Sequence, residues 1–395
     1  MPTINWGKAY LRDNPFLGTP PKPGEEMIWA GMTEQRKRID ERISHSIATS
    51  PYSLVLNWGP WGGGKTHAAR FFNQDQVLTA ISKRMKVPKP LSLVVNIPRG
   101  AKNVVNELYI SIIGSIGLQR IRDDIAKVSA NLGDSFADIV RRYSEDEELA
   151  AALLLLTGTH GQIPLALKRY FLLSAGTTEL RELGLGRNIQ TSNDVIKILT
   201  SIFNILLESN GGEPVYSEVI IWFDEMEEII SLPGKEQIVL VGLIRDLTDY
   251  VPRNLTMFLN FTARSGGKYE DIGAYLSPAV WDRVRDQVFF DYFTQEQIRE
   301  YILEMLNNLN CRLPDTSKLS TRYVPFDESA VDYLSEALMA KATPRTINEA
   351  CSIVIERALT SGILDQAGSV IDTEFLKGLD EEIQSITARG SVSRQ

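Results

Sequence analysis

An α/β fold, with a parallel sheet covered on both faces by helices and an all-helical region after it, is predicted by three observations. The first is Gly59-Pro60-Trp61-Gly62-Gly63-Gly64-Lys65-Thr66, which fills each fixed position of the phosphate-binding pattern G-x-x-x-x-G-K-[ST]. The second is Val219-Ile220-Ile221-Trp222-Phe223, an unbroken apolar run that reads as a buried parallel strand and ends in Asp224-Glu225. The third is the spacing of the remaining strand-like runs, each separated from the next by long helical patterns.

In chain order, the Pro- and Gly-rich start, with Pro15, Pro20, Pro21 and Pro23, reads as extended. Thr33 to about Ser46 has a helical pattern. Ser53-Leu54-Val55-Leu56 leads as a strand into the glycine loop, and Thr66-His67-Ala68-Ala69-Arg70-Phe71-Phe72 leaves it as a helix. Leu91 to Ile97 is a second strand and Asn103 to Ile116 an amphipathic helix. From Gln119 to Asn210 the pattern is almost wholly helical, with breaks at Gly158 to Gly161, Gly176 and Gly184 to Gly186, a large insertion ahead of the strand that ends at Asp224. Ile238 to Leu247 is a helix and Leu255 to Thr262 a strand. Asp282-Arg283-Val284-Arg285-Asp286 reads as a charged helix-loop, and from Thr294 onward only helices are evident. Gly390 to Gln395 is expected to be disordered.

The chemistry of the loop follows from its residue types. Adjacent glycines reach backbone angles closed to other residues, so successive N–H groups can point at phosphate oxygens, reinforced by the dipole of the helix that begins near Lys65. Gly59, Pro60, Trp61, Gly62, Gly63, Gly64, Lys65, Thr66 and His67 are therefore the candidate nucleotide-binding residues. Lys65 would reach the β- and γ-phosphates, and Thr66 would offer its hydroxyl to Mg²⁺. Asp224 is the second candidate magnesium ligand. Glu225 is placed to orient or deprotonate an attacking water.

Composition narrows the remaining classes. With 395 residues, 43% hydrophobic and 23% charged, the chain is long enough for two domains with sizeable cores. Its longest apolar stretch without a strong breaker, Leu149 to Leu156, is too short to span a bilayer, and Met1 to Trp6 lacks the regions of a signal peptide. A cytoplasmic location without membrane contact is expected. Cys311, Cys351 and three histidines show no metal-ligand spacing, which argues against zinc. A formal charge of −8 does not indicate DNA binding but leaves room for a local basic stripe. Lys83, Arg84, Lys86 and Lys89 form the densest basic run, a solvated helix end or a phosphate track.

The order of these motifs resembles the AAA+ ATPases, and within them the branch of origin-recognition initiators and helicase loaders. Asn14-Pro15-Phe16, followed by Trp29-Ala30-Gly31-Met32 and Glu34, is similar to that branch's opening, which cups the adenine. The resemblance implies an AAA+ P-loop NTPase αβα sandwich over residues 1–290 and a helical lid over 291–395. It places Asn260 or Thr262 at sensor 1, near the γ-phosphate or attacking water. Leu276 to Val284 is similar to the stretch that presents an arginine to a neighbouring subunit, making Arg283, with Arg285 second, the candidate finger in trans. Tyr292 to Ile298 resembles the start of the lid, with Thr294 and Gln297 forming a capping box. Ala342-Thr343-Pro344-Arg345 resembles sensor 2, whose arginine would reach the γ-phosphate of its own subunit.

The resemblance thus implies an ATPase that uses ATP and Mg²⁺, self-associates through ATP-bridged interfaces and works with other protein subunits. Initiators of this branch carry a winged-helix domain after the lid, and the sequence here ends at Gln395, so origin recognition is not the expected role. The expected function is a switch subunit of a nucleic-acid-processing machine such as a loader, transposition regulator or defence component. The alternative is a nucleotide-dependent scaffold or signalling ATPase that controls a separate effector without binding DNA.

Overall fold

Residues with strand propensity recur where helical connections can return the chain to the same edge-to-edge order, and five parallel strands result. In the computed structural model, which describes residues 4–18, 27–158, 161–209, 213–263, 269–308, 310–314, 321–366 and 368–389, these are β1 (Ser53–Gly59), β2 (Leu91–Asn96), β3 (Val219–Asp224), β4 (Leu255–Thr262) and β5 (Val284–Phe289). Their order is β2-β3-β4-β1-β5. The register pairs Asn57 with Asn260 and Phe223 with Leu259, which brings the ends of β1, β3 and β4 to one side. Pro20, Pro21 and Pro23, the residues 159–160 of one glycine break, Asn210 and the expected disorder at Gly390 to Gln395 lie outside the described residues.

The fifth strand corrects the helix-loop expected at Asp282 to Asp286. Only its Val288 is fully buried, while Arg285, Gln287 and Phe289 face water. An edge strand with one solvated face tolerates polar residues at alternate positions, so β5 lacks the apolar run by which β3 was recognised.

The helices follow in order: α1 (Thr33–Thr49), α2 (Lys65–Phe72), α3 (Asp75–Met85), α4 (Val104–Ile116), then the insertion α5 (Leu118–Leu132), α6 (Phe136–Ser144), α7 (Glu147–Gly158), α8 (Leu165–Phe171), α9 (Thr177–Leu183) and α10 (Ser192–Leu206). After β3 come α11 (Gly234–Tyr250) and the short α12 (Tyr269–Gly273) and α13 (Pro278–Trp281). The C-terminal helices are α14 (Gln295–Leu306), α15 (Glu328–Leu338), α16 (Pro344–Ser361), α17 (Thr373–Lys377) and α18 (Asp380–Arg389). Thr294 starts α14 with the expected box: its Oγ1 accepts from the Gln297 amide (3.3 Å), and its own amide donates to Gln297 Oε1 (2.9 Å).

Strand alternation splits the core in two. Leu54, Leu56, Ile221, Phe223, Met257 and Leu259 face α4, α11 and the insertion, whose Ala150, Ala152, Leu153 and Leu156 are core residues. Val55, Ile220, Trp222, Phe258 and Val288 face α1 to α3, and this second cluster continues without interruption into α14 to α16. The N-terminal residues lie against the C-terminal helices: Leu11 bridges Arg312, the Leu313 amide donates to Tyr10 O (3.1 Å), and Lys8 pairs with Asp365 (2.6 Å). In the basic run, Arg84 pairs with Asp40 (2.8 Å) and Lys89 with Asp75.

Candidate functional site

The glycine loop connects β1 to α2 through backbone shapes that side chains would block. Gly59 has φ +153°, and a Cβ there would lie 2.2 Å from the Phe290 carbonyl oxygen. Gly62 has φ +76°, and its Cβ would meet Arg345 Cβ at 2.9 Å, so the C-terminal helices rest directly on the loop. Pro60, within the loop, has no N–H to offer a phosphate. Its carbonyl instead shapes the loop, accepting from the Gly63 amide (3.1 Å) and Lys65 Nζ (2.9 Å).

Lys65 opens α2 with its ammonium buried and donating to Gly59 O (3.0 Å) as well. Burial lowers its pKa from 10.5 to about 8, against the opposing fields of Glu227 and Asp224. Asp224, at the end of β3, is buried and accepts from Asn260 Nδ2 (3.0 Å). Glu225 follows with φ +56°, is exposed, and has its pKa raised by desolvation and by Asp224. A short 3₁₀ turn over Met226–Ser231 then sends Glu227 back toward the lysine, where its Oε2 accepts the Thr262 amide (3.0 Å). Sequence reasoning passed over Glu227; the acidic run Asp224-Glu225-Met226-Glu227-Glu228 was the signal available.

Hydrogen bonding separates Asn260 from Thr262. Asn260 is buried, its Oδ1 accepts from Asn57 Nδ2 (2.9 Å), and its Nδ2 donates to Asp224 Oδ1 and Lys65 O (3.3 Å). Both amide hydrogens are engaged, so the side chain ties β1, β3, β4 and α2 together beneath the cleft. Thr262, two residues on, lines the cleft itself.

That cleft has a volume of about 470 Å³, within the range of small-molecule sites. Trp61, Gly62, Gly63, Gly64, Lys65, Thr66 and His67 line it from the loop, and Asp224, Glu225, Glu227 and Thr262 from the strand ends. Asn14, Pro15, Trp29 and Met32 line it from the N-terminal segment, and Tyr301, Asn348 and Arg345 from the C-terminal helices. His67 Nε2 lies 2.8 Å from Ile28 O, and its pKa is lowered by removal from water. Phe16 departs from expectation: it is fully buried in the core and is not a lining residue. Its role is to anchor the segment, while Asn14 Nδ2 donates to Ser352 Oγ (2.6 Å). Arg345 lies over Trp61, its Cζ 3.8 Å from the ring centroid. Arg283 is outside the cleft, donating to Asp249 Oδ1 and to Ala279 O (both 2.7 Å), and Arg285 is exposed on β5.

The chain is similar in fold to a solved structure, the Aeropyrum pernix ORC2 protein in its ADP form. The TM-score is 0.51 at 11% identity, over 94% of this chain and 73% of that one. The fold is that of an AAA+ P-loop NTPase. Similar structures also include the Aeropyrum pernix ORC1 protein in complex with DNA (TM-score 0.48, 14% identity, 95% and 70% covered). A Walker-type ATPase of Pyrococcus abyssi has a TM-score of 0.45 at 14% identity, covering 95% of this chain and 81% of its own. The sequence matches no family model and no curated protein. Within this AAA+ fold the glycine loop, the two strand ends and the C-terminal helices close one cleft. Among the described residues no helix is long and apolar enough to cross a membrane.

Proposed function

We propose that this chain is an ATP-binding and ATP-hydrolysing switch subunit whose lid, residues 291–395, moves against the αβα unit of residues 1–290. The observation that carries this reading is convergence: a lysine, three carboxylates and the Arg345 guanidinium, drawn from elements 284 positions apart in Trp61 and Arg345, line one cleft. The glycine positions 62 and 64, with φ +76° and +101°, provide a backbone cradle of the kind polyphosphate needs. Lys65 would bind the β- and γ-phosphates, exchanging its bonds to the loop carbonyls for phosphate oxygens. Thr66 and Asp224 would hold Mg²⁺, an ion that takes few protein ligands and shares the substrate's phosphates. When bound, the ion neutralises charge on those phosphates.

Glu225, exposed and held near its neighbours' negative charge, is the group to orient or deprotonate water. Thr262 would touch that water or the γ-phosphate, and Asn260 would hold Asp224 in place. Arg345 would read the phosphate from the lid of the same subunit, whereas Arg283, or Arg285 in its place, would act on a neighbour's. ATP-dependent self-association follows from that arrangement, and service to a nucleic-acid-processing machine is the role we assign. The formal charge of −8 favours a second reading, in which the switch controls a protein effector without touching DNA.

Lys65→Ala is expected to abolish ATP binding measured by calorimetry; tight binding by the variant would refute the site. Size measurement by light scattering, with and without a slowly hydrolysed ATP analogue and with and without DNA, separates the two readings. Assembly that requires nucleotide and ignores DNA selects the effector reading.

A further inference from the structure

Trp61 is 60% exposed, an unusual position for the largest apolar side chain, and its indole carries the Arg345 guanidinium at 3.8 Å. The arginine needs such support. It is the second residue of α16, at the positive end of the helix dipole, and its half-burial lowers its pKa, with only Glu349 acting in the opposite direction. Among the described residues no carboxylate forms an ion pair with it. A guanidinium stacked by its face on an aromatic ring keeps its in-plane N–H donors available, and these are the donors that match phosphate oxygens. The packing is close on both sides: a Cβ on Gly62 would lie 2.9 Å from Arg345 Cβ and 3.1 Å from Thr343 Oγ1.

We propose that Trp61 is a positioning residue for ATP recognition: its indole fixes the face of Arg345 so that the arginine's edge is presented to the terminal phosphate. The inference rests on the ATPase reading above. It gives the third position of the loop a task separate from cradling phosphate, since a ring is required there and a backbone N–H alone would not serve. Loop and lid are thereby joined by a contact that depends on one side chain from each.

The test measures dissociation constants for ATP and ADP in wild type, Trp61→Ala, Trp61→Phe, Arg345→Ala and the Trp61→Ala/Arg345→Ala double variant. Trp61→Ala is expected to weaken ATP by about 3- to 30-fold, the range that a cation–π contact supports, and ADP by less than about 2-fold. Trp61→Phe should recover most of the ATP affinity. The double variant should bind like Arg345→Ala, because the ring acts only through the arginine. Equal weakening of ATP and ADP, or a Trp61→Ala penalty that persists without Arg345, overturns the proposal. Failure of wild type to bind ATP at millimolar concentration overturns the ATPase reading and this one with it, a result distinct from the other two. Melting curves for each variant establish folding, and the exposure of Trp61 leaves the core intact on substitution.

Discussion

Glu218, immediately before β3, gives a prediction whose size can be worked out from the structure. The residue is completely buried under the C-terminal turn of α1. Its Oε1 accepts hydroxyls from Ser46 and Thr256, both at 2.7 Å, while Oε2 has no partner among the described residues. Burial raises its pKa from 4.5 to about 8, and the two hydroxyls offset this only in part. The folded chain therefore retains a proton that the unfolded chain releases above about 4.5. Stability from this group is fully present below that pH and is lost as pH rises toward 8. Each pH step across that window removes about 1.4 kcal/mol, so the loss reaches about 3 kcal/mol at pH 7.

Glu218→Gln keeps the accepting oxygen and places a neutral amide where the protonated acid stood. Nearby on the same face, Ser53 Oγ also has no partner among the described residues, and Ser53 stands opposite Thr256 in the sheet. The variant should match wild type within about 1 kcal/mol at pH 5 and exceed it by about 3 kcal/mol at pH 7. Urea unfolding midpoints at pH 5, 6, 7 and 8 measure the divergence, with contributions from other titrating groups common to both proteins. Parallel profiles, or a variant less stable than wild type at pH 8, would refute the reasoning.

The remaining predictions concern the site. Glu225→Gln should keep ATP affinity and slow turnover by at least about 100-fold, trapping the assembled form in light scattering, since general-base contributions are of that order; unchanged phosphate release would show that another group positions the water. Arg283→Ala and Lys65→Ala should each be inactive alone, and mixing them should restore part of the ATPase rate, because one subunit would supply the arginine and the other an intact cleft. Absence of recovery at every mixing ratio would assign Arg283 to its pairing with Asp249.

Much of the fold was legible because its signals are local. A phosphate loop needs particular residue types at fixed spacing, so Gly59 to Thr66 identifies itself, and β3 and β4 are buried on both faces and read as continuous apolar runs. The edge strand β5 was hidden because solvation of one face admits Arg285 and Gln287. Phe16 lies beside cleft-lining residues in sequence, yet its ring turns into the core, a direction that neighbouring residue types do not encode.

The sequence by itself determined the loop, the carboxylates at the end of β3, the helix start at Thr294 and the presence of Arg345, since each depends on backbone geometry or chemistry confined to a few consecutive residues. Only the tertiary structure decided that Asn260 is consumed by bonds to Asn57, Lys65 and Asp224 while Thr262 faces the cleft, that Glu227 turns back toward Lys65, and that Arg345 rests on Trp61. Those outcomes depend on which strands adjoin and how the C-terminal helices pack. Contacts between residues hundreds of positions apart are set by the packing of the whole core, and no short segment carries them.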